Sequence, residues 1–271
     1  MAIITISRGT FTGGKALAEC LAKRLDYPCV SREDVLSSAR RDYDLSEEEL
    51  TQVINNPPPF WVQVTSKRMA FLKCYTAVLL EHVKEGNLIY HGHAGHLLFR
   101  GIPNIIRLRL IADMNFRMNA AKQLYNLEGE EAVAYIEKKD KKRKKWAKFF
   151  YGIDLDDPIL YDAVFNLEHN SIDDICELIL LMTDIDKYKV TKESLKAIDD
   201  FTLASKAWAN LAMDKQTRNA SIYIAADNGV LNIKGNVSSE KTKEAIIRVI
   251  EKVKGVREVK NNMGIGADWY W

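Results

Sequence analysis

Apolar residues in this chain gather into short β-branched runs, separated by longer stretches in which they recur every three or four positions. Ala2–Ile6 is the first run, nearly continuous, the pattern of a strand buried on both faces of a parallel sheet. Behind it Leu17, Cys20, Leu21 and Leu25 fall at helical spacing and offer the sheet one apolar stripe. Further strand candidates are Pro28–Val30, Asn87–Tyr90, Ile105–Ile111 and Ile159–Phe165, with helical stretches between them as βαβ units require. Ser46-Glu47-Glu48-Glu49 reads as a capping box opening a helix that Asn55–Pro59 ends. Ser171-Ile172-Asp173-Asp174 opens a second capped helix, running to Met182.

The texture changes after Met182. Asp184–Glu193 is polar and reads as a linker, and an amphipathic helix follows through Leu203, Trp208 and Leu211. Two alternating strands, Ser221–Ala225 and Val230–Lys234, flank Asp227-Asn228-Gly229, a strong hairpin signal. Ser239–Val253 has helical spacing and Val256–Val259 reads as a last strand, which makes a small α+β module. The tail Gly264–Trp271 carries Trp269, Tyr270 and Trp271 and is expected to be disordered or docked.

Composition narrows the classes. A chain of 271 residues, 47% apolar and 28% charged, suits an ordinary globular protein of about two domains and excludes disordered, collagenous and disulfide-scaffold classes. Thirty-nine Lys and Arg against 37 Asp and Glu leave +2, which excludes a generally basic nucleic-acid binder but permits a local basic patch. Cys20, Cys29, Cys74 and Cys176 form no metal-type spacing and read as reduced thiols. No apolar run approaches the roughly 20 residues of a spanning helix, and the N-terminus lacks the features of a signal peptide. The expected location is the cytoplasm.

The chemistry begins right after the first run. Gly9-Thr10-Phe11-Thr12-Gly13-Gly14-Lys15 satisfies G-x-x-x-x-G-K, a phosphate-binding loop lacking its closing Ser/Thr, since Ala16 stands there. Glycines let the backbone turn its amides inward, the helix N-terminus adds partial positive charge, and the lysine reaches outer phosphates. A Gly-rich turn that only connects strand to helix is the plainer alternative.

Ile4-Thr5-Ile6-Ser7-Arg8 leading to Gly13-Gly14, then Ser31-Arg32-Glu33, resembles the cytidylate kinase-like family of P-loop proteins. Asp140-Lys141-Lys142-Arg143, Phe149-Phe150-Tyr151-Gly152, Asp156-Asp157-Pro158, Tyr161-Asp162 and Asn166 extend the resemblance across residues 1–183. It implies an α/β fold, a parallel five-stranded P-loop kinase core with a helical insert and a lid. It also implies transfer of the γ-phosphoryl of ATP, with Mg²⁺, to a nucleotide such as CMP or dCMP. Such chemistry asks for positioning and charge neutralisation more than for a covalent catalyst. On this reading Gly9, Thr10, Phe11, Thr12, Gly13, Gly14, Lys15 and Ala16 hold the ATP phosphates, and Lys15 and Arg143 are catalytic. Lys138, Lys139, Asp140 and Arg143 belong to the lid, and Arg32, His93 and Arg117 line the acceptor side.

Alternatives stand beside several of these. Lys138–Lys148 holds eight basic residues in eleven, and reads as a lid, a solvated helix face, or a nucleic-acid track with Trp146, Phe149 and Phe150 as stacking surfaces. Arg32 is equally suited to a salt bridge with Glu33 or Asp34. The family's Gly-Arg-Gly is here Gly92-His93-Ala94, and His91, His93 and His96 together make an array able to chelate zinc, though without an identifiable fourth ligand. No metal ligand set is assigned. Phe60 or Trp61 in the insert is a candidate for base stacking or for core packing.

From Lys196 to Met263 the chain resembles a BON domain, carried by Asp199-Asp200, Ala204, Asp227-Asn228-Gly229-Val230, Gly235-Asn236-Val237 and Gly255-Val256-Arg257-Glu258-Val259. That implies a binding role, for a ligand or protein partner, used here in regulation or self-association. The expected division is 1–185 kinase-like, 186–195 linker and 196–271 BON domain with the aromatic tail. A nucleotide-sensing module without turnover is the alternative function, and a nucleic-acid kinase or binder a third.

Overall fold

The computed structural model describes residues 2–45, 66–83, 86–92 and 94–266. The expected capping box at Ser46–Glu49, the aromatics Phe60 and Trp61, His93 and the tail tryptophans lie outside these residues.

Five strands form a parallel sheet: β1 (Ile3–Arg8), β2 (Cys29–Ser31), β3 (Leu88–His91), β4 (Ile105–Ile111) and β5 (Ala163–Asn166), in the order 2-3-1-4-5. All of their C-terminal ends therefore open at one edge, where ligands of such sheets bind. The expected strand Ile159–Phe165 is shorter, because Pro158–Leu160 forms a 3₁₀ turn capped by the Asp157 side chain.

One face of the sheet is covered by α1 (Gly14–Leu25) and α7 (Ile172–Thr183). Ile4, Ile6, Leu108 and Leu110 meet Leu17, Leu21, Ile175 and Ile179 there, all essentially inaccessible. Each such side chain contributes about 2 kcal/mol through burial. The helix α7 starts as its sequence dictates: Ser171 accepts from the Asp174 amide while the Asp174 carboxylate accepts from the Ser171 amide. Between β4 and β5 the chain builds a hairpin of two helices, α5 (Met114–Tyr125) and α6 (Gly129–Tyr151), around Ala121, Ala132 and Ile136. Short α4 (Gly95–Leu98) follows β3, and α2 (Arg32–Tyr43) follows β2.

Residue contacts divide the chain into two units. The first contains the five-stranded sheet. The second gathers α3 (Ser66–Glu81) with the residues from Leu195 onward, including most of α8 (Lys192–Met213). Within it β6 (Ser221–Asp227), β7 (Val230–Val237) and β8 (Glu258–Ile265) form a three-stranded sheet, β6 antiparallel and β8 parallel to β7. The last strand outruns the expected Val256–Val259 because its backbone pairs along the whole of β7, although only Met263 in it is fully buried. The helix α9 (Glu240–Glu251), capped by Ser239, and α8 cover this sheet through Leu203, Ala207, Leu211, Ile246 and Ile250. In α3 almost every described side chain from Ala70 to Leu80 is buried, as a helix apolar all round demands. Its Glu81 carboxylate lies 2.5 Å from Lys206 Nζ of α8, and the Lys73 ammonium sits 4.8 Å over the Trp208 ring.

Candidate phosphate-binding site

The loop between β1 and α1 is held in a conformation that few residues adopt. Gly13, the N-cap of α1, has φ 66°, and a Cβ there would stand 2.7 Å from Leu167 Cδ1. Gly14 is required for a different reason: a Cβ would collide with Arg8 Cδ, because the Arg8 side chain runs across the start of the helix. Phe11 takes φ 61° without being glycine. Its ring is gripped by the hairpin, 5.4 Å from the Tyr125 ring and 5.9 Å from Tyr135, and packs on the Ala121–Ile136 cluster. Thr12 turns inward, its hydroxyl donating to the Gly9 carbonyl at 3.0 Å.

Three arginines converge on this loop. Arg117 of α5 donates from Nε to the Thr10 carbonyl at 2.8 Å and pairs with Asp140 of α6. Arg143, one turn further along α6, donates to the Thr10 hydroxyl at 3.2 Å and to the Arg8 carbonyl at 3.3 Å. Asp140 accepts from the Thr10 amide at 2.9 Å and the Thr10 hydroxyl at 2.7 Å. Burial alone would raise the Asp140 carboxyl, yet the Thr10 hydrogen bonds and the Arg117 charge hold it below the usual carboxylate range. Burial, with Arg8 close by, pushes the Arg143 guanidinium down to about 10, and burial lowers Arg8 in the same way. A cavity of about 180 Å³ opens beside the loop, lined by Arg8, Arg109, Arg117, Asp140, Arg143 and Asp156, among others. At its rim Asp156 pairs with Lys144 and lies 2.5 Å from Arg109.

The expected site residues are thus brought together unevenly. Arg117 and Arg143 share Asp140 and Thr10. Arg117 touches the loop itself rather than a separate acceptor face. Lys15 is mostly exposed and 3.7 Å from Glu19 one turn along α1, away from the arginines. Arg32 takes the salt-bridge alternative, with Nη2 2.8 Å from Glu33, while Asp34 caps α2 through Ser31. Of the aromatics that would line a nucleic-acid track, Trp146 is buried, its ring 5.0 Å from Phe150 and 5.6 Å from Tyr151, so that stacking surface is interior.

Arg8, Arg109 and Asp156 were not singled out for roles by the sequence reading. A usable signal existed in Ile105-Ile106-Arg107-Leu108-Arg109-Leu110: arginines at alternate positions of a buried strand require anionic partners. Here Arg107 pairs with Asp162 and Arg109 with Asp156. On the same side of the sheet His96 of α4 is 95% buried, its ring 4.9 Å from Tyr161, with neither ring nitrogen hydrogen-bonded. Burial, and then the charges of Arg107, Arg109 and Arg100, depress it to about 4. Among the described residues no three His, Cys, Asp or Glu side chains are grouped as metal ligands.

A 2-3-1-4-5 parallel sheet with a glycine-rich loop after its first strand and arginines over that loop defines a P-loop fold of the small-kinase type. The cytidylate kinase-like family model matches residues 3–169 and the BON domain model residues 199–267. The chain belongs to the cytidylate kinase-like family, with a BON domain after it. It is 27% identical over 178 residues to cytidylate kinase of Saccharolobus islandicus, a match that spans 66% of this chain and 88% of the relative. Against cytidylate kinase of Archaeoglobus fulgidus the identity is 23% over 194 residues, spanning 70% and 99%. Among solved structures, an uncharacterized protein from Eubacterium ventriosum superposes with a TM-score of 0.54 at 18% identity, covering 68% of this chain and 98% of that one. Among the described residues no helix is long and apolar enough to cross a membrane.

Proposed function

We propose that this chain transfers the γ-phosphoryl group of ATP to a nucleoside monophosphate, with CMP and dCMP as the first acceptors to try. The observation that carries the reading is the gathering of Arg8, Arg117 and Arg143 on the Gly9–Lys15 loop. Phosphoryl transfer needs fixed positive charge around a metaphosphate-like centre, and guanidinium groups deliver it with directed hydrogen bonds. The family's relatives named cytidylate kinase favour the same acceptor class.

The roles follow from position. Loop amides and the start of α1 receive the donor phosphates, and Lys15 swings inward from its exposed position to the outer ones. Arg143 and Arg117, carried on the α5–α6 hairpin, neutralise the charge of the transferring group. Arg32, at the C-terminal edge of β2, and His93 belong to the acceptor side. Magnesium would enter as part of the ATP complex and would offset phosphate charge there; Ala16 offers no hydroxyl at the position where such loops close with Ser or Thr. The BON unit acts in regulation or self-association, and its α8 reaches α3 through Lys206 and Trp208.

The test is ADP release from Mg-ATP with CMP, dCMP, UMP, AMP and GMP, and Lys15→Ala as the control. Acceptor-dependent turnover is expected, reduced at least about a hundredfold in Lys15→Ala, with little change in melting temperature. Nucleotide binding without turnover across the panel would overturn the kinase and leave a nucleotide-sensing module.

A further inference from the structure

We propose that Asp140 is an internal stand-in for a donor phosphate: its carboxylate fills the anion seat of the glycine-rich loop, and an incoming polyphosphate must expel it. The inference rests on the reading above only in taking this loop as the donor site.

The contacts of Asp140 are those of a bound anion. It receives a backbone N–H and a hydroxyl from Thr10, pairs with Arg117, and lies 3.5 Å from Arg143. A loop amide, a hydroxyl and two guanidinium groups are donors that a phosphate oxygen accepts from as well as a carboxylate does. The seat adjoins the cavity that Asp140 itself lines. Among the described residues that line the cavity, Arg8, Arg109, Arg117, Arg143 and Lys144 stand against two carboxylates, Asp140 and Asp156, and Glu33 adds a third near Arg8. One carboxylate satisfies the hydrogen bonds without balancing the charge, so the surplus favours an anion carrying more charge than the one it displaces.

The hairpin does not have to leave for the exchange to occur. Phe11, packed against both Tyr125 and Tyr135, joins the loop to α5 and α6 independently of Asp140. Expulsion is then a side-chain rotation on a hairpin that stays in place, after which Arg117 and Arg143 transfer to the ligand. A single phosphate gains little, because it replaces one anion by another. Two or more linked phosphates fill the seat and the cavity together. The carboxylate thereby selects polyphosphate donors over orthophosphate and monophosphates at this loop.

The experiment is calorimetric titration of the full chain with inorganic tripolyphosphate and, separately, with orthophosphate. Asp140→Asn keeps the shape and removes the competing charge, and is expected to tighten tripolyphosphate binding about tenfold or more and to let orthophosphate bind measurably. Glu137→Gln removes one negative charge from an exposed site a turn earlier on the same helix, and should change neither affinity. Unchanged or weaker binding by a folded Asp140→Asn protein overturns the proposal, and so does equal tightening by Glu137→Gln, which would make the effect one of bulk charge. If Asp140→Asn does not fold, Asp140→Glu carries the same question: it keeps the negative charge beside Arg117 but is one methylene too long for the Thr10 amide and hydroxyl, and severalfold tighter tripolyphosphate binding is expected, unchanged or weaker binding being the contrary result. Tighter binding without turnover on any nucleotide would keep this inference and remove the kinase reading; turnover with unaltered Asp140→Asn binding would do the reverse.

Discussion

At the residue scale the decisive feature is where buried charge and buried polar atoms find partners. Arg8, Arg109 and Arg143 are costly to bury, and each is tied to the site by a carbonyl, a carboxylate or a glycine that leaves it room. His96 is an exception, buried with both ring nitrogens unpaired and depressed to about 4. Its native pKa lies below that of an unfolded histidine, near 6.5, so between these values the unfolded chain binds more protons. The stability it contributes is therefore complete above pH 6.5 and is lost as the pH falls toward 4, by about 3 kcal/mol at most. Urea unfolding at stepped pH should show this loss in the native chain, and His96→Leu should remove that part of the slope while leaving the contribution of the carboxylates. An unchanged slope would mean that His96 takes up its proton alike in the folded and unfolded chains. At the same scale, Phe11 occupies a left-handed conformation while its ring packs against two tyrosines of the hairpin.

At the element scale the α5–α6 hairpin is the part that most needs tertiary support. Its fully buried core is three small or medium side chains, Ala121, Ala132 and Ile136, with Met114, Met118, Leu127 and Phe11 of the loop half-buried around them. A helix pair with so little buried surface is drawn from the low-stability end of the fold. Phe11→Ala should therefore speed amide exchange throughout α5 and α6 while leaving α7, whose Ile175 and Ile179 sit in the main core, at its original rates. A uniform change across all three helices would contradict the clasp. The long basic stretch of α6 follows from the same geometry. Its lysines serve its solvent face, while Trp146, Ala147 and Ile136 turn inward and Asp140 and Arg143 turn to the loop. The family resemblance singled out Asp140 and Arg143 within that run of lysines, but spacing alone does not tell that both turn to the loop.

At the scale of the whole molecule two units each have a core of their own: Ile4, Leu108 and Ile175 belong to one, Ile224, Ile233 and Ile246 to the other. Ile233→Ala leaves a cavity in the smaller sheet and should cost about 2–5 kcal/mol there. Hydrogen exchange should report the loss in β6, β7 and α9, with protection of β1 and β4 kept. Equal loss in both sheets would show the two cores unfolding as one. The second unit also includes α3, so the C-terminal module is in contact with a helix that precedes β3 in the chain, through Lys206 with Glu81 and Lys73 with Trp208. That grouping was not legible beforehand, because α3 has no polar face from which to infer which side meets what.

What the sequence determined by itself was local: the buried strands, the glycine-rich loop, the Ser171 cap and the hairpin at Asp227–Gly229 all depend on periodicity, turn geometry and short-range hydrogen bonds. The five-stranded sheet and the small α+β module were legible for that reason, whereas the kinase-like and BON readings, and Arg117 and Arg143 as candidate site residues, came from the resemblance. Only the tertiary structure decided that Arg8, Arg117, Asp140 and Arg143 meet at Thr10, across as many as 135 residues of chain. It alone turned Arg32 to Glu33, buried His96 and Trp146, and left Lys15 outside the arginine cluster. The physical reason is common to all of these. Spacing along a helix or strand tells which face a side chain occupies, but the partner it meets there is set by long-range strand pairing and helix packing.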